Sequence, residues 1–256
     1  NAISSLNANI DRYNFDIDGP LFPKGTKRAV DCGDIPWDKK NFKKNRVTIK
    51  NTISKIIKNG VVPILIGGDD SIPIPMIEAM GSVGDNFTVL QIDAHIDWRE
   101  IHMNERYGLS STMRRASEMK HIKKIIQVGA RGIGSGHSRD YRDALDWGVK
   151  FFTAEKVHSL GTDKIIENIN DGSNVIVCVD IDSMDPSITP NTIGRVPGGL
   201  TYFQVLSLIK GVANKANITA INFVEIMPEV DIDGIGGLTV SRLVATTMGI
   251  LARQSI

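Results

Sequence analysis

Short runs of apolar, largely β-branched residues recur along the chain, at Val61 to Ile66, Phe87 to Ile92, Ile125 to Val128, Val175 to Val179 and Ile218 to Val224. Each reads as a strand buried on both faces, the habit of a parallel sheet. A different period fills the gaps. Ile49, Ile53, Ile56 and Ile57 recur at helical spacing after Thr48, and Val205, Leu206, Ile209, Val212 and Ala213 do so after Thr201. Thr201 and Gln204 have the spacing of a capping box. Val240, Leu243, Val244, Thr247, Ile250 and Leu251 stripe a C-terminal helix. Strands alternating with helices predict an α/β fold, a three-layer sandwich around a central, mostly parallel sheet. The stretch ahead of residue 40 is the least regular, with Gly19, Pro20, Pro23 and Gly25 marking loops.

Polar residues crowd one end of the predicted strands. Ligands of a parallel α/β sheet bind beyond the carboxyl ends of its strands, so the residues after each apolar run carry the functional weight. Ile66 is followed by GGDDS, Ile92 by DAHID, Val179 by DIDSMDP and Val224 by EIMPEVD. A single Asp in such a place is usually a helix cap or a turn. That reading holds for Asp69, after two glycines, and for Asp185, before Pro186. Several carboxylates converging with an imidazole would repel one another and resist desolvation unless cations neutralised them. An extended segment puts residues i, i+2 and i+4 on one side, so Asp93, His95 and Asp97 are expected to point one way, as are Asp180 and Asp182. Oxygen-rich ligation with one imidazole favours Mn²⁺ or a similar divalent ion over a thiolate-type zinc site, and the number of carboxylates suits two ions.

Composition narrows the partners. The 256 residues suit one domain, taken as 1–256. Lys and Arg (30) nearly cancel Asp and Glu (29), which leaves no bulk electrostatic reason to expect nucleic acid or an anionic membrane. Small molecules or other subunits fit better. Two cysteines make no disulfide framework, and Cys178 lies inside an apolar run. With no run approaching roughly 18 apolar residues and no basic-then-apolar start, the expected location is cytoplasmic. His102, His121, His137 and His158 read as surface or structural residues. The glycines of GARGIGSG (129–136) lack dinucleotide-binding spacing, while Trp98 and Arg99 are placed to line a pocket mouth.

GGDDS (67–71), DAHID (93–97), DIDSMDP (180–186), PGGL (197–200) and VEIMP (224–228) resemble, in order and spacing, the motif series of the ureohydrolases: arginases, agmatinases, guanidinobutyrases and formimidoylglutamases. The match runs from about residue 28 to the end, and VDCGDIP and SSTMRRASEM point to the agmatinase-like or guanidinobutyrase-like branch. The resemblance implies an arginase-like fold and hydrolysis of a guanidino or amidino C–N bond, releasing urea and an amine. The attacking hydroxide would be held between two divalent ions, Mn²⁺ first, with Ni²⁺ or Co²⁺ as alternatives. Asp93 and Asp180 would bridge the ions, His95 and Asp182 would complete one shell, and Asp97 and Asp70 the other. Asp97 would also orient the hydroxide and pass on its proton, and Glu225 would face the guanidinium. Two positions depart from the family. Asp70 replaces a ligating His and adds negative charge, and Tyr107 falls near a His that shuttles protons, where a phenol titrates too high. The expected partners are a small guanidino substrate and copies of the chain in a trimer or hexamer. The alternative is a weakened or inactive subunit of the same fold in a mixed oligomer. The resemblance also implies a further N-terminal segment ahead of NAISSL.

Overall fold

A computed structural model describes residues 13–134 and 136–254. After a small antiparallel hairpin of β1 (Tyr13–Asn14) and β2 (Gly19–Pro20), six strands form the main sheet. These are β3 (Ile64–Ile66), β4 (Phe87–Ile92), β5 (Ile122–Val128), β6 (Lys150–Phe152), β7 (Asn174–Asp180) and β8 (Asn217–Val224). Their order is β3-β8-β7-β4-β5-β6, and every pairing is parallel.

Side chains alternate across the sheet and so supply two cores. Val175, Val177 and Val179 of β7, with Leu90 and Ile92 of β4, join a cluster with Ala154, Val157, Ile165, Leu208 and Leu243. Those partners belong to α5 (Ala154–Leu160), α6 (Asp163–Ile166), α7 (Tyr202–Lys215) and α8 (Ile235–Arg253). Ile176, Cys178 and Val89 face the other way and pack on Ile53, Ile77, Met113 and Ala144. These come from α1 (Phe42–Lys58), α2 (Pro73–Met80), α3 (Thr112–Ser117) and α4 (Ser138–Trp147). The result is the three-layer sandwich expected. Each fully buried aliphatic contributes about 1.5–3 kcal/mol, so a polar residue at Val177 would break one core. By length and composition α8 could cross a bilayer, but 61% of its apolar window is buried inside the molecule, as in a core helix.

Two local expectations change and one holds. Of the run from Val61, only Ile64–Ile66 forms a strand, and it is a partly exposed edge, because Pro63 cannot donate to a ladder. The first helix begins at Phe42, capped by Asn41 on Lys44 N, and Thr48 lies inside it, bonding back to Lys44 O. Thr201 and Gln204 do close a capping box on α7.

The topology fixes where a ligand can enter. β4 and β7 are neighbours, yet β4 leads outward to β5 while β7 leads the opposite way to β8. Connections that diverge this way leave a crevice at the carboxyl ends of the two strands.

Candidate metal centre

At the end of β4 the chain turns immediately. His95 N donates to Asp93 Oδ1 at 2.6 Å, and Asp97 takes a left-handed φ of 44°. Asp93, His95 and Asp97 therefore meet through a turn rather than along an extended segment. Met113 N and Arg114 N both donate to Asp97 O at 3.1 Å, which seats α3 on this turn. After β7, Asp180 Oδ1 accepts from Asp182 N at 2.8 Å and caps a 3-10 turn over Ile181–Ser183. That turn separates Asp180 from Asp182 instead of leaving them on one face. After β3, Gly67 and Gly68 at φ 98° and 73° bring Asp70 inward, and Asp70 N donates to Glu225 Oε1 at 2.9 Å.

The ligand atoms collect into two groups, each with its atoms within 4.8 Å of one another: Asp93, His95 and Asp182, and Asp70, Asp93 and Asp180. Asp93 belongs to both. Asp180 falls in the Asp70 group alone. Asp97 stands beside the second group, hydrogen-bonded to Asp70 and Asp93. Asp70, Asp93 and Asp180 are buried, and their carboxyls are raised well above the usual range, first by desolvation and then by neighbouring charge: Asp97 and Asp180 act on Asp70 and Asp93, and Asp182, Glu225 and Asp97 on Asp180. Glu225 is raised to about 7, chiefly by burial. Burial pulls His95 down, but the hydrogen bond and charge of Asp182 outweigh it, and the imidazole is raised. His95 Nδ1 lies 2.9 Å from Asp182 Oδ2, a spacing that a shared cation satisfies as well as a proton does.

The donor set fits divalent cations. Asp70 Oδ2 is buried without a hydrogen-bond partner, an arrangement costly for a carboxylate unless a cation faces it. The backbone of Gly194 closes over the first group so tightly that an added Cβ would overlap Asp182 Oδ2 and sit 2.7 Å from His95 Cε1.

Asp69 and Asp185 take the structural roles expected of them. Asp69 Oδ1 accepts from Ser71 N, while Asp185 accepts from the main chain of Ser187, Gly198 and Gly199 and from the Ser187 hydroxyl, which hold its carboxyl down at about 2. Tyr107 is half-exposed, with the Arg46 guanidinium 4.6 Å and that of Arg115 5.9 Å from its ring centre. Cation–π packing accounts for this ring without proton transfer. Sequence reading missed Gln91, whose Nε2 donates to Asp93 Oδ2 at 2.6 Å and Asp97 Oδ2 at 2.8 Å, and Gln127, which donates to Gln91 Oε1 and to Ile96 O. Polar residues inside the apolar runs of two central strands were the available signal. Arg131 was passed over inside a glycine-rich turn.

Fold and ligand atoms together define an α/β protein with two adjoining ligand groups able to hold metal ions at the carboxyl edge of its sheet. A sequence model described as the arginase family matches residues 1–249. The chain is 28% identical over 224 residues to N(1)-aminopropylagmatine ureohydrolase of Thermus thermophilus, covering 86% of this chain and 73% of that protein. It is 28% identical over 214 residues to mitochondrial agmatinase of Gallus gallus, covering 80% and 62%. Proclavaminate amidino hydrolase from Streptomyces clavuligerus superimposes with a TM-score of 0.79 at 28% identity, over 88% of this chain and 76% of that one. Formimidoylglutamase from Bacillus subtilis shares the fold at a TM-score of 0.86 and 22% identity, over 100% and 82%. The chain belongs to the arginase family, whose hydrolases act on guanidino C–N bonds and depend on two metal ions.

Proposed function

We propose that this chain hydrolyses a guanidino C–N bond, releasing urea and an amine from an agmatine-like or guanidino-acid substrate, with two divalent ions, Mn²⁺ first, in its centre. The observation that carries the reading is the pair of ligand groups that share Asp93 where β4 and β7 diverge. Bound ions supply the Lewis acidity that activates water and polarises the substrate. The remaining work belongs to side chains. Asp97, steered by Gln91 Nε2, is placed to take a proton from the attacking water and return it to the departing amine nitrogen. Glu225 commits Oε1 to Asp70 N and leaves Oε2 for the planar guanidinium. A cation there favours the ionised form of a carboxyl otherwise raised to about 7.

The test is to load purified protein with Mn²⁺, measure metal by elemental analysis, and assay urea from agmatine and 4-guanidinobutyrate. Two ions and urea from either compound support the reading, and a metal content near zero sinks it. A second reading, a weakened subunit serving a mixed oligomer, is favoured by one feature: the ligand at position 70 is a third buried carboxylate in a group without an imidazole. Two bound ions with no urea from a broad guanidino panel would select it. A trimeric or hexameric assembly and a cytoplasmic location belong to the same proposal, the first checked by light scattering and the second by fractionation.

A further inference from the structure

We propose that Arg131 is a positioning residue for the His95–Asp182 half of the centre, holding two separate chain segments against those ligands; the inference rests on the dimetal reading above. Arg131 follows β5 in the turn opened by Gly129, and its own N–H donates to Ala94 O at 3.1 Å. Among the described residues its guanidinium donates to main-chain carbonyls alone. Nη2 donates to Asp182 O at 2.9 Å, Met184 O at 3.2 Å and Val196 O at 2.7 Å. Nη1 donates to Ser183 O at 3.0 Å and Gly129 O at 3.3 Å, and Nε to Val196 O at 3.1 Å and Pro197 O at 3.2 Å. A guanidinium has five N–H groups, so some of these contacts share a hydrogen.

The carbonyls come from two places. Asp182, Ser183 and Met184 form the turn that carries a ligand. Val196 and Pro197 belong to the strap, residues 192–197, that runs over the centre and closes on it at Gly194. Carbonyl oxygens converging in one spot repel one another, and a planar, permanently charged, many-donor group holds them where a point-like ammonium reaches fewer. The ligand itself is drawn in from the other side, since Asp182 Oδ1 accepts from Ala94 N at 3.1 Å. Arg131 thus sits at the junction of the DAHID turn, the Asp182 turn and the strap. Its charge is felt at Asp93 and Asp180 as well as Asp182, but none of its hydrogen bonds goes to Asp70 or Asp180, so its loss should be felt most in the His95–Asp182 half.

The experiment compares Mn²⁺ binding to wild type, Arg131→Gln, Arg131→Lys and Gly194→Ala by calorimetry, with pulsed EPR to read nitrogen coupling. His95 is the one imidazole in the two groups, so nitrogen coupling reports the ion in its half. Removing a residue that orients ligands typically costs 10–100-fold in metal affinity, and Arg131→Gln is expected to weaken the nitrogen-coupled ion by about that factor while the oxygen-only ion keeps its affinity. Arg131→Lys should recover part of the loss. Gly194→Ala, whose added Cβ meets Asp182 Oδ2 and His95 Cε1, should expel the same ion. Equal weakening of both ions, or wild-type affinity of the nitrogen-coupled ion in Arg131→Gln, overturns the inference. If Arg131→Gln does not fold, Arg131→Lys decides by the same criterion. A wild type without a nitrogen-coupled ion overturns the dimetal reading itself, and this inference with it.

Discussion

The two halves of the centre meet at Asp93 but are held by different means. The His95–Asp182 half is built from turns and a strap, fixed through main-chain carbonyls that one arginine gathers, and its imidazole is 19% exposed. The Asp70–Asp180 half sits beyond strand ends, and its Asp93, with Asp97 beside it, is steered by a side-chain amide from β4. In the first half a positive charge stands just behind the ligands. In the second, carboxylate faces carboxylate and the Arg131 charge acts without a hydrogen bond, so bound cations or protons must do most of the neutralising. The difference teaches that ion occupancy governs the energy of the buried half, whereas loop position governs that of the open half.

The strongest way to break this contrast is to remove what the halves share. Asp93→Asn should lose both ions in elemental analysis. Metal polarisation is worth several kcal/mol and each 1.36 kcal/mol is tenfold, so urea release should fall by about 10³-fold or more. Retention of one ion would show that Asp93 serves a single half. Gln91→Leu removes the clamp on Asp93 and Asp97 while keeping strand volume. The expected loss is about 10–100-fold in affinity of the oxygen-only ion, measured by calorimetry, with the nitrogen-coupled ion less affected.

Asp70→His exchanges a carboxylate for a neutral imidazole in the more acidic half, and should tighten Mn²⁺ there by about tenfold, equivalent to 1.4 kcal/mol. If it instead abolishes binding, the second half is tuned to three carboxylates. The smallest effect is in the metal-free protein. Glu225 is raised from 4.5 to about 7, so its contribution to stability is complete below 4.5 and is lost as pH rises through about 7. Asp185 is lowered from 3.8 to about 2, so its contribution is present above 3.8 and is lost as pH falls through about 2. Asp70, Asp93, Asp180 and His95 are raised too and act in the same direction as Glu225, so metal-free thermal melts should decline from pH 5 to 7, and saturating Mn²⁺ should flatten that decline. A metal-free melting temperature that rises from pH 5 to 7 contradicts the sign for Glu225.

Much of this was legible along the chain because periodicity is a local property. Leu90, Ile92, Val177 and Val179 announce a strand whatever surrounds them, and acids after Ile92 and Val179 announce a site once parallel strands place it. What did not show depends on turns. Asp93 meets His95 through a hydrogen-bonded turn and Asp97 through a left-handed φ, geometries that alternation cannot foretell. Lys150–Phe152 is too short to carry a period, and the start of α1 is hidden because its first turn is lysine-rich and lacks an apolar stripe. Arg131 was illegible for another reason: its partners are main-chain carbonyls, which every residue possesses.

Among the described residues, the sheet that carries the centre ends on both sides in strands of only three residues, Ile64–Ile66 and Lys150–Phe152, with Pro63 directly before the first. Such edges present too few open N–H and C=O groups for a foreign strand to extend the sheet, which is how many natural proteins avoid amyloid-like stacking. This chain can therefore keep long, largely apolar strands in its middle while its short edges offer little template for aggregation.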